Sequence, residues 1–187
     1  MYSDIELKII SYIKEHLPFR EKHILSTRDL SVELAKHYSV DVEKASIAAL
    51  CHDLGKRYND KEIREIIKRK DNKEYPKYIT GALLHARVSS IITEEEFNIT
   101  DIEIINAIES HTVGHANMTM LEKIIYTADF LEPTRKLDSA DKIREYVFKD
   151  FDRAFLDVVY ESISFVLYKK HYLSEKTIEL YNSLVTK

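Results

Sequence analysis

The stretch Asp41-Val42-Glu43-Lys44-Ala45-Ser46-Ile47-Ala48-Ala49-Leu50-Cys51-His52-Asp53-Leu54-Gly55-Lys56 decides how this chain is read. Asp41 suits a helix N-cap and Gly55 a helix C-cap. Between them lies an alanine-rich apolar run that ends on an imidazole and a carboxylate side by side. Helical periodicity continues on both sides. Ile5, Ile9, Ile13 and Leu17 form one stripe, stopped by Pro18. A second helix is predicted over residues 19–38, with Leu30 and Leu34 inward and His23 and Thr27 one turn apart. Asp60 is the expected cap of a fourth helix carrying Ile63, Ile66 and Ile67. A fifth, over residues 80–97, sets Leu84, Val88, Ile91 and Ile92 on one side and carries His85. Thr100 with Glu103 and Thr119 with Glu122 have capping-box spacing. The first opens a helix with Ile104, Ile108 and His111, closed near Gly114; the second holds Met120, Ile124, Ala128 and Asp129 and stops at Pro133. After a linker over residues 134–138, amphipathic segments resume to about residue 170 and again from Ser174.

Composition agrees. The 187 residues include only three glycines and three prolines, too few for the turns of an all-β protein, whereas 44% hydrophobic and 32% charged residues suit a helical globule. No strand alternation, internal repeat or low-complexity tract interrupts the pattern. The fold class expected is all-α, a single globular domain over residues 1–187, in which residues 19–135 carry the site and residues 136–187 form C-terminal helices packed on it. The lone Cys51 excludes an intrachain disulfide and fits a reducing compartment. No apolar run is long enough to span a bilayer, and the acidic start lacks a signal peptide's basic region, so a soluble cytoplasmic protein without membrane attachment is expected. A net charge of −4 argues against indiscriminate nucleic-acid binding. Lys68-Arg69-Lys70 and Lys169-Lys170 read as solvated helix ends.

His52-Asp53 is a mixed nitrogen–oxygen pair suited to iron, manganese or zinc. His23, His85, His111 and Asp129 stand on other predicted helices, which can converge side chains on one point. Neighbours on an ideal helix diverge by roughly 100°, so His52 and Asp53 share an ion only near a helix end. A carboxylate can also bridge two ions, one oxygen to each.

The motifs Arg20-Glu21-Lys22-His23, His52-Asp53-Leu54-Gly55-Lys56, Leu84-His85-Ala86, His111-Thr112-Val113-Gly114 and Ala128-Asp129-Phe130-Leu131-Glu132-Pro133-Thr134-Arg135 together resemble the HD-domain metal-dependent phosphohydrolases. The closer resemblance is to the YqeK-like branch, the bacterial symmetrical bis(5′-nucleosyl)-tetraphosphatases. It implies that His23, His52, Asp53 and Asp129 hold a metal, iron by expectation, with manganese or another divalent ion fitting the same donors. His85 and His111 would complete a second metal site or face substrate phosphate. Ala86 and Val113 depart from the family pattern, which bears on substrate detail. The resemblance also implies a small-molecule partner, diadenosine tetraphosphate, cleaved between its central phosphates into two ADP.

The chemistry is consistent with that. A polyphosphate anhydride resists attack because its oxygens are negative; a metal offsets that charge and lowers the pKa of water from 15.7 towards about 7. Asp53 and Lys56 are the expected catalytic pair, Lys56 as a point charge. Arg20 and Arg135 can each fork two phosphate oxygens, and Thr112 is expected to meet phosphate. Glu132 reads either as a partner for a ligand histidine or an arginine, or equally as an acid near a helix end. His16, His37, His115 and His171 read as structural, Cys51 as a small buried hydrophobe, and the tyrosines as core or interface. Residues 172–177 are expected to return towards the nucleotide. The rival readings are an HD phosphohydrolase for another nucleotide or an NAD-related phosphate, and a nucleotide-binding module without turnover. A homodimer is a general expectation for a soluble enzyme.

Overall fold

The computed structural model describes residues 2–186. Among them the chain forms ten α-helices, one 3₁₀ turn and no strand. These are α1 (Asp4–His16), α2 (Glu21–His37), α3 (Val42–Cys51), the 3₁₀ turn (Leu54–Arg57), α4 (Asp60–Asp71), α5 (Gly81–Phe97), α6 (Ile102–Ser110), α7 (Met120–Leu131), α8 (Asp138–Arg144), α9 (Phe151–Tyr168) and α10 (Glu175–Val185). The all-α reading is correct. No described helix is long and apolar enough to cross a membrane.

The alanine-rich stretch becomes the central helix. Every residue from Ala45 to Cys51 is buried, because α1, α2, α5, α6 and α7 all pack on α3. A helix covered on all sides is apolar all round; Ala45, Ala48 and Ala49 keep it thin. α7 buries Leu121, Ile124, Ile125, Ala128 and Leu131 while packing on α2, α3 and α6. α5 packs on the 3₁₀ turn, α4 and α6, while α8 and α9 lie on α7 and α10 lies on α9. Ile9, Ile13 and Leu17 are fully buried, as the first stripe predicts.

Helix ends bring three corrections. α3 ends at Cys51 rather than near Gly55, which instead lies within the 3₁₀ turn. Asn59, not Asp60, caps α4: its side chain accepts from the Lys61 and Glu62 amides, and Glu62 completes a capping box. Asp60 is left free to accept from the Gly81 amide at 2.7 Å, tying α4 to the start of α5. Asp101, not Thr100, caps α6, taking the Glu103 and Ile104 amides. The carboxylate one residue later is the stronger acceptor at the positive helix end. The Thr119–Glu122 box forms as read.

One buried charge ties α1, α2 and α3 together. The Glu6 carboxylate accepts from the Arg28 guanidinium at 2.9 Å, from the Ser3 amide at 2.7 Å and from the Ser46 hydroxyl. Burial alone pushes this carboxyl up, but the bonds from Ser46, Ser3 and Arg28 outweigh it and draw it from 4.5 to about 2. A folded-state value below the unfolded one stabilises fully above the unfolded pKa and fades as pH falls towards the folded one. Glu6→Gln is therefore expected to lose on the order of 3 kcal/mol at neutral pH. In urea titrations the gap from wild type should close between about pH 4.5 and 2; a gap independent of pH would contradict this account.

Candidate metal and phosphate site

Four imidazoles converge from four helices, and each is held by its Nδ1. His52, at the end of α3, donates to the Ala49 carbonyl at 2.7 Å. His85, on α5, donates to the Ala82 carbonyl at 3.0 Å, and His111, at the end of α6, to the Ile108 carbonyl at 2.6 Å. His23, on α2, donates to Glu132 Oε1 at 3.0 Å. Glu132 is itself buried and fixed by the Thr134 amide and hydroxyl at 2.7 and 2.6 Å. With the proton on Nδ1, each Nε2 presents a bare lone pair. These lone pairs face one another, His23 to His52 at 3.3 Å and His85 to His111 at 3.0 Å. In that tautomer no ring proton lies between the facing nitrogens, and a cation would satisfy both lone pairs.

The carboxylates complete the pattern. Asp129 Oδ1 is 3.0 Å from His23 Nε2 and 3.7 Å from His52 Nε2. Asp53 Oδ2 lies 3.6 and 3.5 Å from the same two nitrogens. The other Asp53 oxygen, Oδ1, lies 3.1 Å from His85 Nε2 and 3.7 Å from His111 Nε2. Donors held at about 2.1 Å from one ion stand roughly 3–3.5 Å apart, so these nitrogens and oxygens fit a divalent metal. The adjacent residues His52 and Asp53 reach the same point because the helix ends between Cys51 and the turn. Gly55 permits that turn: a Cβ there would strike the His85 carbonyl, and its amide donates to Ser89 Oγ at 2.9 Å.

Burial, aided by His111 and His23 and opposed by Asp53 and Asp129, pushes His52 down to about 4, so its ring is neutral near pH 7. Burial, with His111 and Lys56, also lowers His85. Burial would raise Asp53, but His52, His111 and His85 hold its carboxyl well below the usual range. Asp129 is likewise held down, by His23, Arg135 and His52, against burial. Cys51 supplies no ligand; burial pushes its thiol up to about 12.

The clusters open into a cavity of about 440 Å³ whose lining includes Arg20, Lys56, Thr112 and Arg135. Both arginines rest on carboxylates here, Arg20 on Asp53 and Arg135 on Asp129 at 2.9 Å. Lys56 has no carboxylate within ion-pair distance among the described residues; burial, Arg20 and Arg135 lower its pKa against the pull of Asp53 and Asp129. Thr112 Oγ1 lies 3.2 Å from His111 Nε2 and 3.5 Å from His85 Nε2. His115 lies apart, paired with buried Glu122 at 2.7 Å. Residues 172–177 do not line the cavity. Instead the Thr177 hydroxyl donates to the Val113 carbonyl at 2.8 Å, and Leu180 covers Gly114, whose φ of +63° favours glycine. Sequence reasoning missed the cavity's apolar lining of Phe130, Leu137, Phe165 and Val166. Only the i, i+4 spacing of Glu161 and Phe165 hints that one face of α9 serves a site.

Fold and donor set define a class, helical proteins that gather imidazoles and carboxylates around metal. The HD domain family matches residues 20–161. The chain is 33% identical to "Bis(5′-nucleosyl)-tetraphosphatase, symmetrical" of Halalkalibacterium halodurans, over 95% of this chain and 96% of that one. It is 31% identical to the protein of the same name in Bacillus subtilis, with the same coverage. A crystal structure from Clostridium acetobutylicum, described as a "predicted HD superfamily hydrolase involved in NAD metabolism", superposes with a TM-score of 0.90 at 36% identity, covering 100% of this chain and 98% of that one. The chain belongs to the HD domain family, in the branch of these symmetrical tetraphosphatases. An HD domain with this imidazole and carboxylate cluster is a divalent-metal site.

Gly55→Ala should force the 3₁₀ turn and α5 apart, since the obstacle is backbone rather than a flexible side chain. A loss of about 1–3 kcal/mol in urea unfolding is expected, with His85 displaced in a crystal structure. Wild-type stability would show that the approach is not tight.

Proposed function

We propose that this protein hydrolyses dinucleoside tetraphosphates symmetrically, releasing two ADP from diadenosine tetraphosphate. The observation that carries the reading is the pair of inward-facing histidine couples joined by the two oxygens of Asp53, with Asp53, His85 and His111 lining a cavity that also holds Arg20, Lys56 and Arg135. In this reading His23, His52, Asp53 and Asp129 hold one divalent ion. His85 and His111, with the other oxygen of Asp53, would hold a second; with one ion bound, the two histidines would face substrate phosphate instead. A nitrogen–oxygen donor set without thiolate suits iron, with manganese as the near alternative.

A bound ion of this kind polarises phosphoryl oxygens and makes water a usable nucleophile near neutral pH. The protein's own groups do the rest. Lys56 places an uncommitted charge over the phosphates, offsetting the repulsion that guards the anhydride. Arg20 and Arg135 can add forked contacts when polyphosphate competes for them with Asp53 and Asp129. Thr112 can donate its hydroxyl to a phosphate oxygen. Glu132 keeps the His23 lone pair aimed inward. ADP is a good leaving group, so no strongly perturbed general acid is required. The name of the similar Clostridium structure favours one competing reading, an NAD-related phosphate as substrate.

Three results test the proposal. Anaerobically purified protein with ferrous iron or manganese should convert diadenosine tetraphosphate to ADP alone by chromatography; ATP with AMP, or faster turnover of an NAD-related phosphate, would overturn it. Asp53→Ala should lose both bound metal, by elemental analysis, and turnover, to background. Glu132→Ala should keep the fold by circular dichroism but weaken metal affinity by about ten- to hundredfold. Unchanged affinity would remove Glu132 from the site.

A further inference from the structure

We infer that the apolar part of the cavity lining, Phe130 on α7 with Phe165 and Val166 on α9, binds one purine base of the substrate, and that the other nucleoside is left outside. The inference rests on the dinucleotide reading of the metal site and adds to it where, and how many, bases are recognised.

The lining combines three chemistries in one cavity: the donors Asp53, His85 and His111, the cations Arg20, Lys56 and Arg135, and the apolar side chains Phe130, Phe165 and Val166. A nucleoside diphosphate carries the matching parts, anionic phosphates and a flat apolar base. Phe165 is 57% exposed although it belongs to this lining. An aromatic ring held open beside a cation-lined pocket is a surface for stacking, since every base offers a π-face. Glu161 lies one turn before Phe165 on the same stripe of α9. It is the carboxylate of the lining without a histidine in ion-pair reach among the described residues. Such a group accepts from an exocyclic amino group, as on adenine, and repels the carbonyl edge of uracil.

The remaining aromatic of the lining, Tyr126, is only 4% exposed and offers little ring face for stacking. The volume of about 440 Å³ lies low in the range of roughly 300–1,000 Å³ for drug-sized ligands. It suits one nucleotide half, not two. Specificity is thus read at one end, and the second base can vary.

Phe165→Ala should raise KM for diadenosine tetraphosphate about tenfold, far more than it lowers kcat, with Phe165→Tyr restoring it. By calorimetry the same variant should weaken ADP while leaving pyrophosphate binding unchanged, a result independent of turnover. The mixed adenosine–uridine tetraphosphate should be cleaved within about twofold of the diadenosine compound, because either orientation of a two-ended ligand halves the odds at most. Diuridine tetraphosphate should be cleaved much more slowly, and Glu161→Gln should narrow that difference. Unchanged ADP affinity in Phe165→Ala, or equal turnover of the diuridine compound, would overturn the inference. Wild-type protein inert towards every dinucleoside tetraphosphate would sink the proposed function instead, while the ADP measurement would still decide the base site.

Discussion

The site depends on a bond that a helix makes with itself: an imidazole Nδ1–H given to the carbonyl three residues back. His52, His85 and His111 all make it. Two of the three stand just beyond the last residue of their helices, where backbone carbonyls lack intrahelical donors. Ending the helix therefore supplies the acceptor that orients the ring. Proton placement, ring direction and lone-pair direction all follow from where α3 and α6 stop. His23, within the first turn of α2, has no such carbonyl in use and borrows the carboxylate of Glu132.

This arrangement places charge inside the most enclosed part of the molecule. His52 and Asp53 are almost wholly buried at the end of a helix that is itself buried on every face. An isolated carboxylate there would be very costly. Asp53 is not isolated: imidazoles approach both of its oxygens and Arg20 pairs with one. The core around it is built from small residues so that five helices can come close enough to deliver those partners. Packing and chemistry are in this sense one requirement, and Gly55 meets it at the tightest approach.

Much of this was legible from residue order. Periodicity located nearly every helix, and the His-Asp pair with its distant partners pointed to a metal site. The errors lie where neighbouring residues compete for one role. Asn59 and Asp60, or Thr100 and Asp101, are both good caps, and the choice is settled by tertiary partners such as the Gly81 amide that engages Asp60. Backbone carbonyl acceptors carry no residue-type signal, so the Nδ1 bonds could not be read at all. The apolar lining of the cavity was invisible for another reason. Phe130 and Phe165 are 35 positions apart and become neighbours of one cavity only through the packing of α9 on α7. The expected return of residues 172–177 to the nucleotide became a contact with the turn behind it, through Thr177 and Val113.

That last contact has a consequence for how the protein is made. The turn carrying His111 and Thr112 is braced from behind by Thr177 and Leu180 on α10. Chains emerge from the ribosome N-terminus first. The ligand helices α2 to α7 are therefore outside before their brace exists, and the histidine couple of His85 and His111 gains this support only once α10 has emerged. Vectorial synthesis thus delays the braced site until α10 has docked.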